Sequence, residues 1–156
     1  MRGTAEATFE TALPPDRVIA SLTDFSPQRA EIWPALDPER FEVHELGDTW
    51  ALVTEGSRQP NVWATERYSW ATAGTVSWRA EKSNFSAPGS GTDVTAAETP
   101  TGGSRVHVRW QRESTSVTGL LIVMLFRLLG RRLLVGTYKP VWDGLALADT
   151  AGPRPT

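Results

Sequence analysis

The last third of the chain carries an apolar stripe with the period of a long α-helix. Apolar residues recur there at alternating steps of four and three, which places them on one helix face. A face this long must cover a large apolar surface, so the stripe predicts a helix packed over the rest of the fold. Pro140 should kink this helix, because its ring removes the hydrogen bond to Gly136. The stripe consists of Val117, Leu121, Met124, Leu128, Arg131, Val135, Tyr138, Trp142, Leu145 and Asp149.

Earlier segments alternate apolar and polar residues with the two-residue period of β-strands. The first spans residues 7–13 and ends at Pro14 and Pro15, which a central strand could not accommodate. Two short helices are predicted next, over residues 15–25 and 26–33. The later segments are separated by turn residues at the spacing of an antiparallel meander. They span residues 41–46, 50–55, 62–70, 75–82, 92–98 and 104–110.

The composition excludes several classes of site and partner. The chain has no cysteine and only two histidines, His44 and His107, so we expect neither a metal site nor a cofactor. A net charge of −2 without a basic tail argues against nucleic acid as a partner. Arginines interrupt the apolar run at residues 120–126 well short of the ~18 residues that a membrane span requires.

The 156-residue length is that of one ordinary domain. We expect this domain to cover residues 1–150 and residues 151–156 to form a flexible tail. The N-terminal region lacks a basic start followed by an apolar run, so the sequence predicts a cytoplasmic protein.

The order of these elements resembles the helix-grip fold of the START-like superfamily, also called SRPBCC. Residues 26–56, 62–70, 74–78 and 83–90 are similar to a branch labelled polyketide cyclase or dehydrase-like. The resemblance covers residues 5–148 and implies an α+β fold. In that fold a curved, seven-stranded antiparallel sheet wraps around a long C-terminal helix, and two short helices follow strand one. It further implies a cavity between sheet and helix for an apolar ligand.

Three residues are candidates for acid–base catalysis in such a cavity. A catalytic acid must be desolvated enough to move its pKa toward neutrality. Strand alternation places Glu66 and Tyr68 on one face, and Glu55 shares its face with Ala51 and Val53. If these side chains face inward, they could promote cyclisation or dehydration. The simpler alternative is that the carboxylates lie at the sheet rim and pair with arginines.

Seven tryptophans, scattered over strands and helices, indicate either a large aromatic core or an aromatic cavity. In the second interpretation Trp33, Trp78, Trp110 and Trp142 line a cavity suited to flat ligands. We expect Tyr68, Trp78 and Trp110 to face a pocket of several hundred Å³. The long helix would close this pocket with Leu121, Met124, Leu128 and Val135.

Arg131 is the one charge at a core-spaced position in the apolar part of the stripe. Its head could reach solvent at the helix edge, or it could pair with Glu55 or Glu66. A third alternative is that it anchors the anionic end of a ligand.

These observations leave three hypotheses for function. The first is a protein that binds a small hydrophobic molecule, aromatic or polyketide-like, in the cavity. The second is a cofactor-free enzyme of the polyketide cyclase or dehydratase type. The third is a lipid-binding protein at a membrane surface, because further apolar residues lie near Arg127 and Arg132. A homodimer contact would use the same apolar residues, which are Leu120, Val123, Phe126 and Leu133.

Overall fold

The computed structural model describes residues 1–151 of the chain. Strand β1 comes first, followed by two short helices, six further strands and one long helix. The elements are β1 (Arg2–Thr11), α1 (Pro15–Thr23), α2 (Arg29–Ile32), a 3-10 turn (Pro38–Arg40), β2 (Glu42–Leu46), β3 (Trp50–Ser57), β4 (Val62–Ser69), β5 (Thr75–Ser83), β6 (Gly91–Glu98), β7 (Ser104–Glu113) and α3 (Val117–Thr150).

Within residues 1–151 the seven strands form one antiparallel sheet in the order β1-β7-β6-β5-β4-β3-β2. Consecutive strands pair from β2 to β7, and β1 pairs with β7 along its full length, from Arg2 opposite Glu113 to Thr11 opposite Ser104. Helix α3 packs against β1 and β7. The predicted α+β helix-grip fold is confirmed.

Strand β1 begins five residues earlier than the sequence pattern predicted. The inward residues in the first part of the strand are Gly3, Ala5 and Ala7, and they are too small to stand out as an apolar alternation. Their size matters because α3 lies close above them. A Cβ atom on Gly3 would lie 2.7 Å from Cγ1 of Val123.

The inward face of α3 is not the predicted stripe in its first half. Leu121, Met124 and Leu128 are 63%, 44% and 79% exposed, so their predicted position against the cavity is wrong. The buried face carries Gly119 and Gly130 instead, where a Cβ atom would overlap the Phe85 carbonyl oxygen and the Ala5 side chain respectively. The helix therefore approaches the rest of the fold through glycines, which a search for large apolar residues passes over.

The inward face of α3 also drifts around the helix axis. Inward positions recur every four residues from residue 126 to residue 146, a longer step than the 3.6 residues of a helical turn. The predicted stripe therefore meets this face only in the second half of the helix. There Val135, Tyr138, Trp142 and Leu145 belong to the core or pack against it.

The kink in α3 lies at Leu129, whose φ of −127° and ψ of 15° are not helical. At Pro140, where the sequence predicted a kink, the dihedral angles stay helical. Apart from the helix's own backbone, no atom lies within 4 Å of the place where a Cβ atom on Gly136 would stand.

Arg131 follows this kink and is exposed, so its guanidinium lies in solvent. The alternatives in which it pairs with Glu55 or Glu66, or anchors a ligand in the cavity, are therefore wrong. Trp142 is completely buried in the core, where it stacks against Phe9 and Tyr138 and donates from Nε1 to Oγ of Ser21 at 2.9 Å.

None of the helices described between residues 1 and 151 is long and apolar enough to cross a membrane.

A candidate ligand cavity with two buried ion pairs

A cavity of about 390 Å³ lies between the sheet and α3. Both short helices, the strands β3, β4, β5 and β7, and both halves of α3 contribute to its wall. The side chains that matter for recognition are aromatic or charged. They are Arg29, Trp33, Glu55, Trp63, Glu66, Tyr68, Trp78, Phe85, Trp110, Arg112, Phe126 and Tyr138.

Two stacked aromatic pairs form much of the apolar wall. Tyr68 and Trp78 face each other across the β4–β5 register and stack with ring centroids 5.1 Å apart. Trp110 on β7 stacks on Phe126 of α3 at 4.2 Å and an interplanar angle of 13°. The sheet and the helix thus contribute flat aromatic surfaces to the same cavity.

Arg29 is the centre of the first polar cluster. Its guanidinium is 3% exposed and donates from Nε to Oε1 of Glu55 at 2.8 Å. Nη1 donates to the carbonyl oxygens of Leu22 and Asp24, and Nη2 donates to the Tyr68 hydroxyl at 3.2 Å. The Tyr68 hydroxyl in turn donates to Glu55 at 3.2 Å. All three nitrogens of the Arg29 guanidinium therefore have acceptors, as a buried cation requires.

Arg112 and Glu66 form the second cluster, and this one is incomplete. Nη2 of Arg112 donates to Oε1 of Glu66 at 3.2 Å, and the guanidinium lies over the Phe85 ring at 5.3 Å. Nη1 of Arg112 is buried and has no acceptor, and it is the only such buried polar side-chain atom in residues 1–151. A donor left in this state lacks the acceptor that water supplied before folding.

Burial dominates the ionisation of the cavity groups. It raises the pKa of Glu66, against the opposing attraction of Arg112. Burial and the Glu55 carboxylate raise the pKa of Tyr68 well above its ordinary value, and burial also raises that of Tyr138. Both tyrosines are therefore neutral hydrogen-bonding groups at pH 7, and burial favours the protonated form of Glu66.

The structure brings six of the twelve predicted site residues together. Glu55, Glu66, Tyr68, Trp33, Trp78 and Trp110 line the cavity. Val135 packs against the core and Trp142 lies within it, so neither lines the cavity. Glu55 and Glu66 also pair with arginines, as the simpler sequence interpretation expected, but they do so inside the cavity rather than at an exposed rim.

The two arginines of the cavity were not among the residues predicted from the sequence. Arg112 has the same strand parity as Val108 and Trp110, so the alternation of β7 carried the signal. Arg29 begins the four-residue helix α2, which is too short to show a helical periodicity. Within residues 1–151 no three histidine, aspartate or glutamate side chains are grouped as metal ligands.

No family model matches the sequence. No curated protein matches it either. Solved structures do. The chain is similar to the Zhui aromatase/cyclase from Streptomyces sp. R1128, with a TM-score of 0.76 and 18% identity over 99% of this chain and 100% of that one.

A START superfamily protein from Mycobacterium smegmatis matches at a TM-score of 0.72 and 8% identity, over 93% of this chain and 97% of that one. Norcoclaurine synthase from Thalictrum flavum, solved with dopamine and hydroxybenzaldehyde, matches at a TM-score of 0.68 and 9% identity. The match covers 95% of this chain and 88% of that one. At these identities the similarity shows the fold alone, which is the START-like helix-grip fold.

Proposed function

We propose that this protein binds a small, flat, hydrophobic molecule in the cavity between the sheet and α3. The observation that carries the proposal is the aromatic cavity of about 390 Å³, which falls within the ordinary size range of small-molecule sites. The stacked Tyr68–Trp78 and Trp110–Phe126 pairs offer faces against which an aromatic or polyketide-like ring system can pack.

The orphaned Nη1 donor of Arg112 narrows the class of ligand. A ligand with a carboxylate, enolate or phenolate oxygen would give this nitrogen its acceptor. Protonation of Glu66 would leave the Arg112 charge free for such an anion, and burial favours that protonated form by raising the Glu66 pKa. We therefore assign to Arg112 the anchoring role that was one of three alternatives for Arg131.

The test compares naphthoate with its neutral amide, naphthamide, by isothermal titration calorimetry. Wild-type protein should prefer the acid, and Arg112→Met should lose that preference by about tenfold or more, because a charge-assisted hydrogen bond contributes about 1.5–3 kcal/mol. Arg131→Met, which changes an exposed arginine, is the matched control and should bind like wild type. Failure of both compounds to bind would contradict the ligand proposal, and an unchanged preference in Arg112→Met would contradict the anchor.

A second candidate function is acid–base catalysis on a polyketide-like substrate. Glu66 supports it, because a buried carboxyl group with a raised pKa in an aromatic cavity suits a general acid. Tyr68 and Glu55 are already bound to each other and to Arg29, which favours a positioning role for them. Product formation from a linear polyketide should fall in Glu66→Gln. Turnover equal to that of wild type in Glu66→Gln, Glu55→Gln and Tyr68→Phe would exclude this mechanism.

A further inference from the structure

The outer surface of α3 carries an apolar stripe that no described residue covers. Ten large hydrophobic side chains are exposed in residues 1–151, and six of them lie between residues 117 and 129. At 100° per residue, five of these fall within a sector about 100° wide, opposite the inward residues Gly119, Val123 and Phe126. We call this surface the outer stripe. It consists of Val117, Leu121, Met124, Leu125, Leu128 and Leu129.

Positive charge adjoins the outer stripe and no negative charge from its own helix does. The chain has no acidic residue between Glu113 and Asp143. Arg127, Arg131 and Arg132 are exposed and make no ion pair with any residue that the structure describes. The three arginines also line a groove against Thr4 and Ala5 of β1, next to Leu128 and Leu129.

We propose that the outer stripe docks on the surface of an anionic phospholipid bilayer. A helix that combines an exposed apolar face with flanking arginines fits the boundary between acyl chains and acidic headgroups. The leucines would enter the acyl boundary, while Arg127, Arg131 and Arg132 would contact the lipid phosphates. The helix would lie in the plane of the surface and would not cross the bilayer.

A second copy of the chain is a poorer partner for this surface. Pairing two stripes would place two sets of unpaired arginines near one another without an acidic partner on either helix. Charge therefore favours the bilayer.

The test is flotation of the protein with large vesicles at low and at raised ionic strength. The protein should float with phosphatidylcholine vesicles that contain about one third phosphatidylglycerol, float poorly with phosphatidylcholine alone, and dissociate as salt is added. Leu121→Gln combined with Leu128→Gln should weaken binding more than about tenfold. Arg131→Gln combined with Arg132→Gln should weaken it about fivefold per arginine.

Leu147→Gln is the matched control, because Leu147 is a 72% exposed leucine of the same helix outside the outer stripe. Naphthoate affinity should stay unchanged in all these variants, since none of the substituted residues lines the cavity. The proposal is overturned if anionic vesicles do not bind the protein or bind the leucine variant equally well. It is also overturned if light scattering finds a dimer that the leucine variant dissociates while no vesicle binds.

Discussion

Arg29 and Arg112 are two buried arginines in one cavity, and their surroundings differ in a way that separates stability from recognition. Arg29 has four acceptors, two of which are backbone carbonyl oxygens of the segment around α1. Arg112 has one acceptor and an orphaned nitrogen. A satisfied buried cation holds its neighbours in place, whereas an unsatisfied one retains the capacity to bind a further acceptor.

Arg29→Met should therefore destabilise the fold. The substitution leaves Glu55 without its cation and the carbonyl oxygens of Leu22 and Asp24 without their hydrogen-bond donor. This loss should lower the free energy of unfolding by about 3 kcal/mol. Urea denaturation followed by circular dichroism measures the loss. Arg105→Met, which breaks the exposed Arg105–Glu10 pair, should change stability by less than about 0.5 kcal/mol. Similar effects of the two substitutions would contradict the structural role of Arg29.

Glu66 should make stability depend on pH in a direction opposite to that of an ordinary paired carboxylate. Burial raises its pKa in the folded protein above the ordinary 4.5. Below pH 4.5 both states hold the proton. Between the unfolded and the folded pKa only the folded state holds it, so the free energy of unfolding falls as pH rises through that window.

Glu66→Gln is the matching measurement, because glutamine stays neutral at every pH. The free energy of unfolding of wild type minus that of Glu66→Gln should decrease as pH rises above about 4.5, by up to about 1.4 kcal/mol per pH unit. Urea titrations between about pH 4 and pH 8 give this difference. A difference that grows with pH would mean that Arg112 lowers the pKa of Glu66 instead.

At the scale of elements, the position of α3 depends on glycines rather than on its leucines. The helix approaches β1 at Gly130, and it approaches the segment after β5 at Gly119. This close approach lets Ile122 and Phe126 reach the cavity wall, and it turns the leucines of the outer stripe to solvent. One geometric constraint thus sets both faces of the helix.

Gly119→Ala should destabilise the protein although alanine is the better helix former. Its methyl group would overlap the Phe85 carbonyl oxygen, and overpacking of this kind costs about 1–3 kcal/mol. Gly144→Ala is the control on the same helix, because nothing lies within 4 Å of the added carbon. That variant should gain up to about 1 kcal/mol from helix propensity. Thermal unfolding of the two variants should shift in opposite directions, and a stabilised Gly119→Ala protein would contradict the close contact.

At the scale of the whole molecule, the strand pattern predicted more than the helix pattern did. Alternation along β3, β4 and β7 placed Glu55, Glu66 and Trp110 correctly, because a strand offers only two faces and one of them is apolar. The apolar residues of α3 extend around much of its circumference, so periodicity alone could not tell its inward face from its outer stripe. The contacts that decide between them involve glycines and residues distant in sequence, such as Gly119 with Phe85.

The cavity chemistry was predictable only in part, because it too depends on contacts between residues that are distant in sequence. Strand parity brings Arg112 to the cavity, but its pairing with Glu66 depends on a contact 46 residues apart along the chain. Arg29 reaches Glu55 and Tyr68 only because α2 folds back over β3 and β4. No local pattern in the sequence predicts that Arg112 contacts Glu66 or that Arg29 contacts Glu55 and Tyr68.

If the cavity holds a flat aromatic anion, a crystal structure of the protein grown with naphthoate should show that anion in place. We predict density for the ring system between the Trp110–Phe126 and Tyr68–Trp78 stacks, with a carboxylate oxygen within hydrogen-bonding distance of Nη1 of Arg112. An empty cavity at saturating naphthoate, or naphthoate bound only outside it, would contradict the ligand proposal.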